Sequence, residues 1–231
     1  MRIASVIDIS LVDVPKIPVT VIFTGGCNMD CAYCQNAEII PQDSGTEMTI
    51  FDIVERVRGN LSDGYCITGG EPTIHKDLPL LLKALKDDGA GHINLNTQGS
   101  VPDVLEKCLP YLDSVWFDMK TAPERYAEIS RVKFDYWSRV LRSIQLLIDS
   151  DVNFWPRTTY VGGLMNSDEI QRIAGLLHDL GYQGEYLVQN YKNSSGTRES
   201  EVADFEEPDE NELKPFLECM PPGITLKLEW R

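Results

Sequence analysis

Pro18-Val19-Thr20-Val21-Ile22-Phe23 and the run that follows it, Thr24-Gly25-Gly26-Cys27-Asn28-Met29-Asp30-Cys31-Ala32-Tyr33-Cys34, decide the reading of this chain. The first six residues are short, apolar and β-branched, the pattern of a buried strand. Two glycines come next, then three of the chain's six cysteines within eight residues, spaced C-x3-C-x2-C. In a parallel α/β fold the carboxyl ends of strands are where ligands and chemistry are placed. A strand that runs straight into such a loop therefore predicts both the fold class and the place of the site.

Working outward, the same alternation repeats. Strands are expected at Tyr65–Thr68, His92–Leu95, Ser114–Phe117, Asn153–Thr159 and Glu185–Gln189. Between them, helical patterns occupy Ile50–Arg58, Asp77–Asp88, Pro102–Leu109, Tyr136–Ser150 and Ser167–Leu180, with another expected over Asp30–Glu38. Asp77 and Ser167 stand where N-caps belong, and Gly89 and Gly181 where helices stop. Six strand-then-helix units imply an α/β fold with parallel strands and right-handed crossovers. Six are fewer than the eight of a closed barrel, so a partial, open (β/α)6 barrel is expected. Ser194–Asn211 is polar and acidic and reads as a mobile loop, Glu212–Cys219 as a last helix and Ile224–Trp230 as a final strand. The whole, 1–231, reads as one domain, with its core at about 17–192 and an acidic loop and C-terminal extension over 193–231.

Composition narrows the function classes. The chain has 231 residues, 42% hydrophobic and 25% charged, the range of ordinary globular domains. Its 36 acidic residues outnumber 21 basic ones, a formal charge of −15, which disfavours nucleic acid and anionic membranes as partners. No apolar run approaches the roughly 18 residues of a membrane span, and the first fifteen residues lack the form of an export signal. A cytoplasmic, reducing setting is therefore expected, where grouped cysteines more often ligate metal or do redox chemistry than form disulfides.

Three thiolates at this spacing repel one another unless a cation or a cluster holds them. A structural zinc site wants a fourth ligand, and none of His75, His92 and His178 is near in sequence. A [4Fe–4S] cluster takes four thiolates as a rule, so three would leave one iron open to an outside ligand. On the residues alone both remain open. Cys66, Cys108 and Cys219 stand singly. The first two read as small core residues, the third as exposed.

The C-x3-C-x2-C run with an aromatic residue, Tyr33, before the last cysteine resembles the motif of the radical S-adenosylmethionine (SAM) enzymes. The resemblance extends along most of the chain. Gly69-Gly70-Glu71-Pro72-Thr73, after the second predicted strand, is similar to the GGEP motif that holds the methionine amino group of SAM. Asn94-Leu95-Asn96-Thr97-Gln98-Gly99 resembles the (D)TNG stretch of glycyl-radical enzyme activases, with Asn96 in place of the aspartate of a monovalent-cation site. Phe117-Asp118-Met119-Lys120 resembles their DxK motif, in which the lysine approaches SAM; the ordinary reading is a surface ion pair. Arg157 stands at the strand-five position that contacts the SAM carboxylate or ribose, and Gln189 at a strand-six position suited to the adenine or ribose. What this implies is a [4Fe–4S] cluster on Cys27, Cys31 and Cys34. Tyr33, Gly69, Gly70, Glu71, Pro72, Thr97, Asp118, Lys120, Arg157 and Gln189 are the expected cofactor-binding residues. The implied chemistry is one-electron cleavage of SAM to methionine and a 5′-deoxyadenosyl radical that abstracts hydrogen.

Within that superfamily the opening, Ile7 to Pro15 and then Val19 to Phe23, resembles the start of activators of anaerobic ribonucleotide reductase, departing at Pro15-Lys16. The implied partners are that reductase or another glycyl-radical enzyme, and a flavodoxin- or ferredoxin-like electron donor. Two other readings stay open. One is a radical SAM enzyme acting on a small molecule, similar to 7-carboxy-7-deazaguanine synthase. The other is a non-catalytic metal-binding module with structural cysteines.

Overall fold

Two strands stand where one was expected at the start of the chain: β1 (Arg2–Ser10) and β2 (Val19–Thr24), paired antiparallel. Ser and Asp interrupt the apolar pattern of β1, so periodicity misses it, and it lies largely exposed at the sheet's side. The computed structural model describes residues 1–132, 136–202 and 205–230. It falls into two compact units, one of Met1–Asn28, Glu38–Trp116 and Arg139–Phe154, the other of Met29–Ala37, Phe117–Ser138 and Trp155–Arg231.

In the first unit the strand order is β3-β1-β2-β4-β5, with β3 (Thr46–Glu47), β4 (Gly64–Gly69) and β5 (His92–Thr97). From β2 onward the ladders are parallel, Val21 opposite Cys66 and Cys66 opposite Asn94. The crossover helices are α1 (Ile50–Val57) and α2 (Leu78–Asp87), and α3 (Pro102–Cys108) follows β5. Each presents an apolar stripe: Ile53, Val54 and Val57 from α1, and Leu78, Leu81, Leu82 and Leu85 from α2, all buried. A buried leucine stabilises by roughly 1.5–3 kcal/mol, so these stripes, rather than helix propensity, hold the layer. On another part of the sheet Val14, Ile17, Val19, Val21, Phe23 and Cys66 pack together, which accounts for Cys66 as a core residue.

Strand β6 (Ser114–Asp118) begins in the first unit and ends in the second. The second unit continues with α4 (Tyr126–Ser130), most of β7 (Asn153–Tyr160), α6 (Ser167–Asp179), β8 (Gly184–Asn190) and β9 (Ile224–Glu229), while α5 (Trp137–Ile148) lies almost wholly in the first unit. Strands β7, β8 and β9 are parallel. Pro156 is tolerated in β7 because the ladder to β8 starts one residue later, at Arg157.

Four expectations need correction. No helix forms over Asp30–Glu38; only Ala37–Ile39 makes a single 3-10 turn. The backbone there bonds elsewhere, Asp30 N–H to Ser130 O at 2.9 Å and Ala37 N–H to Gly196 O at 2.8 Å, so the i to i−4 ladder never starts. Asp77 occupies the N-cap of α2 without capping through its side chain, and the cap of α6 is Asn166, with Glu169 reaching back to its N–H at 3.1 Å. Glu212–Cys219 forms 3-10 turns, Glu210–Glu212 and Lys214–Glu218, in place of a helix. The stretch expected to be a mobile loop carries a short helix, α7 (Glu199–Val202), and a bridge between Gly162 and Glu206; its positions 203 and 204 lie outside the described residues. Among the described residues no helix is long and apolar enough to cross a membrane.

Candidate functional site

The run Gly25–Cys34 leaves β2 in the first unit and, after Asn28, enters the second. Its first part is held by backbone and side-chain hydrogen bonds together. Gly26 N–H donates to Ile39 O at 2.8 Å, and Cys27 N–H to Ile40 O at 2.9 Å, while Gln42 Nε2 donates to Cys27 O at 2.6 Å. The turn after β4 packs directly on this loop: Gly70 N–H donates to Thr24 O and Glu71 N–H to Gly26 O, both at 2.9 Å. A Cβ at Gly70 would lie 1.9 Å from Gly26 O. The double glycine therefore serves the close approach of one backbone to another beside Cys27.

Glu71 and Thr97 are bonded to each other inside the fold. The Glu71 side chain is only 1% exposed, and all its acceptor capacity is spent inside the fold. Its Oε1 accepts from Thr73 N–H (3.0 Å) and from the Thr97 hydroxyl (2.6 Å), and its Oε2 from Gln98 N–H (2.9 Å). Burial pushes its carboxyl above the usual range, against the pull of those donors. Glu71 and Thr97 thus brace the turn after β4 to the end of β5, and do not point outward. A second brace was invisible in sequence. Gln98 Nε2 donates to Asn28 Oδ1 at 2.9 Å and Asn28 Nδ2 to Ser100 Oγ at 2.7 Å, tying the residue after Cys27 to the end of β5.

Asn96 belongs to a ladder of polar side chains on one face of β4, β5 and β6. Its Nδ2 meets Thr68 Oγ1 at 3.3 Å, its Oδ1 accepts from Asn94 Nδ2 at 2.7 Å, and Asn94 Oδ1 accepts from the Ser114 hydroxyl at 2.8 Å. An amide serves here as donor and acceptor at once. A carboxylate could not do so.

In the second unit, Cys31 and Cys34 are joined by a turn, Cys34 N–H to Cys31 O at 3.1 Å, with Tyr33 buried between them and its hydroxyl donating to Lys120 O at 3.1 Å. Asp118 ends β6, and Lys120 follows two residues on. As the two-residue spacing implies, they share a side: Lys120 Nζ donates to Asp118 Oδ2 at 3.1 Å. Arg157 of β7 joins them, Nε and Nη2 reaching Asp118 Oδ1 at 3.0 and 2.8 Å. Burial raises the Asp118 carboxyl, but Arg157 and then Lys120 outweigh it and hold the group below the usual range. Burial pushes the Cys31 thiol up to about 11, with Lys120 pulling the other way. Gln189 of β8 donates to Thr159 Oγ1 at 3.0 Å on the neighbouring strand. All six cysteines are free thiols, Cys66 and Cys108 buried and Cys219 exposed.

Comparison with known proteins gives this geometry its context. A family model described as the radical SAM superfamily matches residues 21–177. A protein of Methanocaldococcus jannaschii, provisionally named a glycyl-radical enzyme activating enzyme, is 29% identical over 217 residues, 92% of this chain and 88% of its own. The 7-carboxy-7-deazaguanine synthase of Haemophilus influenzae is 26% identical over 61% of this chain and 72% of its own. Among solved structures, Streptococcus suis SuiB bound to the precursor peptide SuiA superposes with a TM-score of 0.67 at 15% identity over 90% of this chain. This chain spans only 48% of that structure. At such identity the likeness shows the fold, the α/β partial barrel anticipated from the strand count.

Proposed function

The chain belongs to the radical SAM superfamily, whose members work with a [4Fe–4S] cluster and SAM, and we propose that it is an activase that installs a glycyl radical on a partner enzyme, most specifically an anaerobic ribonucleotide reductase. The observation that carries this is the match to the Methanocaldococcus relative, which runs nearly end to end in both chains. The reductase as target rests on the resemblance of residues 7–23 to the opening of its activators.

The residues present fit the cofactors. Cys27, Cys31 and Cys34 are free thiols on one eight-residue run, and a buried thiol such as Cys31 ionises readily only beside a cation. Those three would hold the cluster. When bound, the cluster supplies the electron and SAM the radical that takes hydrogen from the substrate. Gly69, Gly70, Glu71 and Pro72 form the turn that would hold the methionine end, with Glu71 and Thr97 keeping its shape from inside. Lys120 and Arg157, already sharing Asp118, are two fixed cations that would bind the SAM carboxylate and ribose, and Asp118 limits their mutual repulsion. Tyr33 would help to keep water from Cys31 and Cys34, and Gln189 would offer an amide to the base. A flavodoxin- or ferredoxin-like protein is the proposed electron donor.

The test is anaerobic reconstitution with iron, sulfide, reductant, SAM and candidate reductases, read by electron paramagnetic resonance. A glycyl doublet on the partner is expected. SAM cleavage without a protein radical on any glycyl-radical enzyme would sink the activase reading. A second reading, cyclisation of a small molecule as in the deazaguanine synthases, is favoured by one observation: Asn96 is built into the polar ladder where activases carry a carboxylate. SAM-dependent stabilisation by a purine-like substrate would support it.

A further inference from the structure

We propose that residues 191–201 form a clamp over the second half of the cysteine run, and that Arg198 is a positioning residue for Cys31 and Cys34. Its value for cluster protection rests on the cluster reading above.

From sequence, Ser194–Asn211, which takes in most of this segment, reads as a mobile loop. The structure instead ties it to residues 30–37 at four places within the second unit. Gln35 Nε2 donates to Lys192 O at 2.6 Å, and the Ser194 hydroxyl donates to Gln35 O at 3.3 Å. Ala37 N–H donates to Gly196 O at 2.8 Å, and Arg198 pairs with Asp30, the residue before Cys31. A second tie runs from the far end of the segment. Arg131 holds Glu201 through both carboxylate oxygens, at 2.6 and 2.7 Å, from a left-handed backbone (φ 53°) that ends α4. Ser130, the last residue of α4, accepts the Asp30 N–H. Within the segment, buried Thr197 accepts from the Tyr191 hydroxyl at 3.0 Å, which holds its own shape.

Each tie is of a kind that stabilises little by itself when exposed. Spaced along eleven residues, they act together, because opening the segment at one point leaves the others to close it. Asp30 is the hinge of the arrangement. Its N–H fixes the cysteine turn to α4, and its carboxylate fixes the same turn to the clamp.

The experiment uses the full chain, purified without oxygen. In the reduced apo form, alkylation of Cys31 and Cys34 by iodoacetamide is followed by peptide mass spectrometry, with exposed Cys219 as the internal reference. Arg198→Ala is expected to speed alkylation of both by about fivefold while Cys219 is unchanged, as expected when one exposed tie controls a local opening. Arg198→Lys should retain most of the protection, and the swap Asp30→Arg with Arg198→Asp should restore it. In the reconstituted form the same variants should lose the band at about 400 nm in air in the same order of rates. Glu201→Gln tests the far end should Arg198→Ala fold poorly, and is expected to accelerate both readings. Unchanged alkylation in Arg198→Ala and Glu201→Gln overturns the clamp. A wild-type chain that takes up no iron overturns the cluster reading instead and leaves the alkylation result standing.

Discussion

Glu71 shows how far a residue's role can turn once its neighbours are known. Each of its carboxylate oxygens faces a backbone N–H, Thr73 on one side and Gln98 on the other. An amide has one oxygen, so Glu71→Gln must leave one of those buried donors facing an NH2 group. The expected loss is about 1–3 kcal/mol, read as a lower denaturation midpoint of the apo chain. An unchanged midpoint would mean that the turn after β4 does not depend on this brace. Asp118 makes the complementary case in the second unit. Its folded pKa lies below its unfolded value, so its contribution to stability is present at neutral pH and is lost as pH falls through the depressed value, below about 3.9. Arg157→Gln removes the larger of the two cationic supports, so that variant has less of this contribution to lose as pH falls. Melting curves of the apo chain from pH 7 to pH 3 decide it: the variant's deficit relative to wild type at pH 7 should narrow below about pH 3.9, as wild type begins to give up that contribution. A deficit that stays constant across the range would assign Arg157 a role independent of that carboxylate.

The helices carry the clearest sequence signal, and they also carry a correctable weakness. Gly175 lies inside α6, where a Cβ would meet nothing within 4 Å and the backbone is ordinary helix. Gly175→Ala should stabilise by about 0.5–1 kcal/mol, since the glycine loses more backbone entropy on folding; a lower melting temperature would show that the site is more crowded than its surroundings suggest. The legibility of the other elements follows the same physics. Strands β2, β4, β5, β6, β7 and β8 lie within a residue or two of the expected positions, because each is a short run of β-branched, aromatic or alternating apolar residues bounded by turn signals. β1 escaped because it is largely exposed, Ser5 and Asp8 among its residues, and a strand with so little buried surface need not alternate cleanly. Asp30–Glu38 was misread because helix periodicity says nothing about backbone partners from 100 to 160 residues away, Ser130 and Gly196. Near the cysteine run, the pairing of Asp118 with Lys120 was legible, because the two stand close in sequence at a strand end. The brace of Asn28, Gln98 and Ser100 was not, since no local pattern links residue 28 to residue 98.

At the scale of the chain the excess of acid is the dominant long-range force, and it sets an expectation for salt. The close pairs, such as Arg125–Glu169 at 2.6 Å and Arg157–Asp118 at 2.8 Å, lie far inside the Debye length at any working salt concentration. Raising ionic strength from 0.01 M to 0.15 M shortens that length from about 30 Å to about 8 Å, which leaves such contacts largely intact. The repulsion among the remaining carboxylates acts over longer distances and is screened. Glu206, Glu207, Asp209, Glu210 and Glu212 crowd into seven residues of the C-terminal part with only Lys214 close by in sequence. Net charge of this size destabilises the compact state through self-repulsion. The melting temperature of the apo chain at pH 7 is therefore expected to rise between 0.01 M and 0.15 M sodium chloride, with most of the gain below 0.1 M, where the Debye length is changing fastest. Potassium chloride should give the same curve, because the effect depends on ionic strength and not on a particular cation. A melting temperature that fell with salt would mean that attraction between oppositely charged groups outweighs the repulsion, and that the 15 surplus negative charges lie too far apart to act on one another.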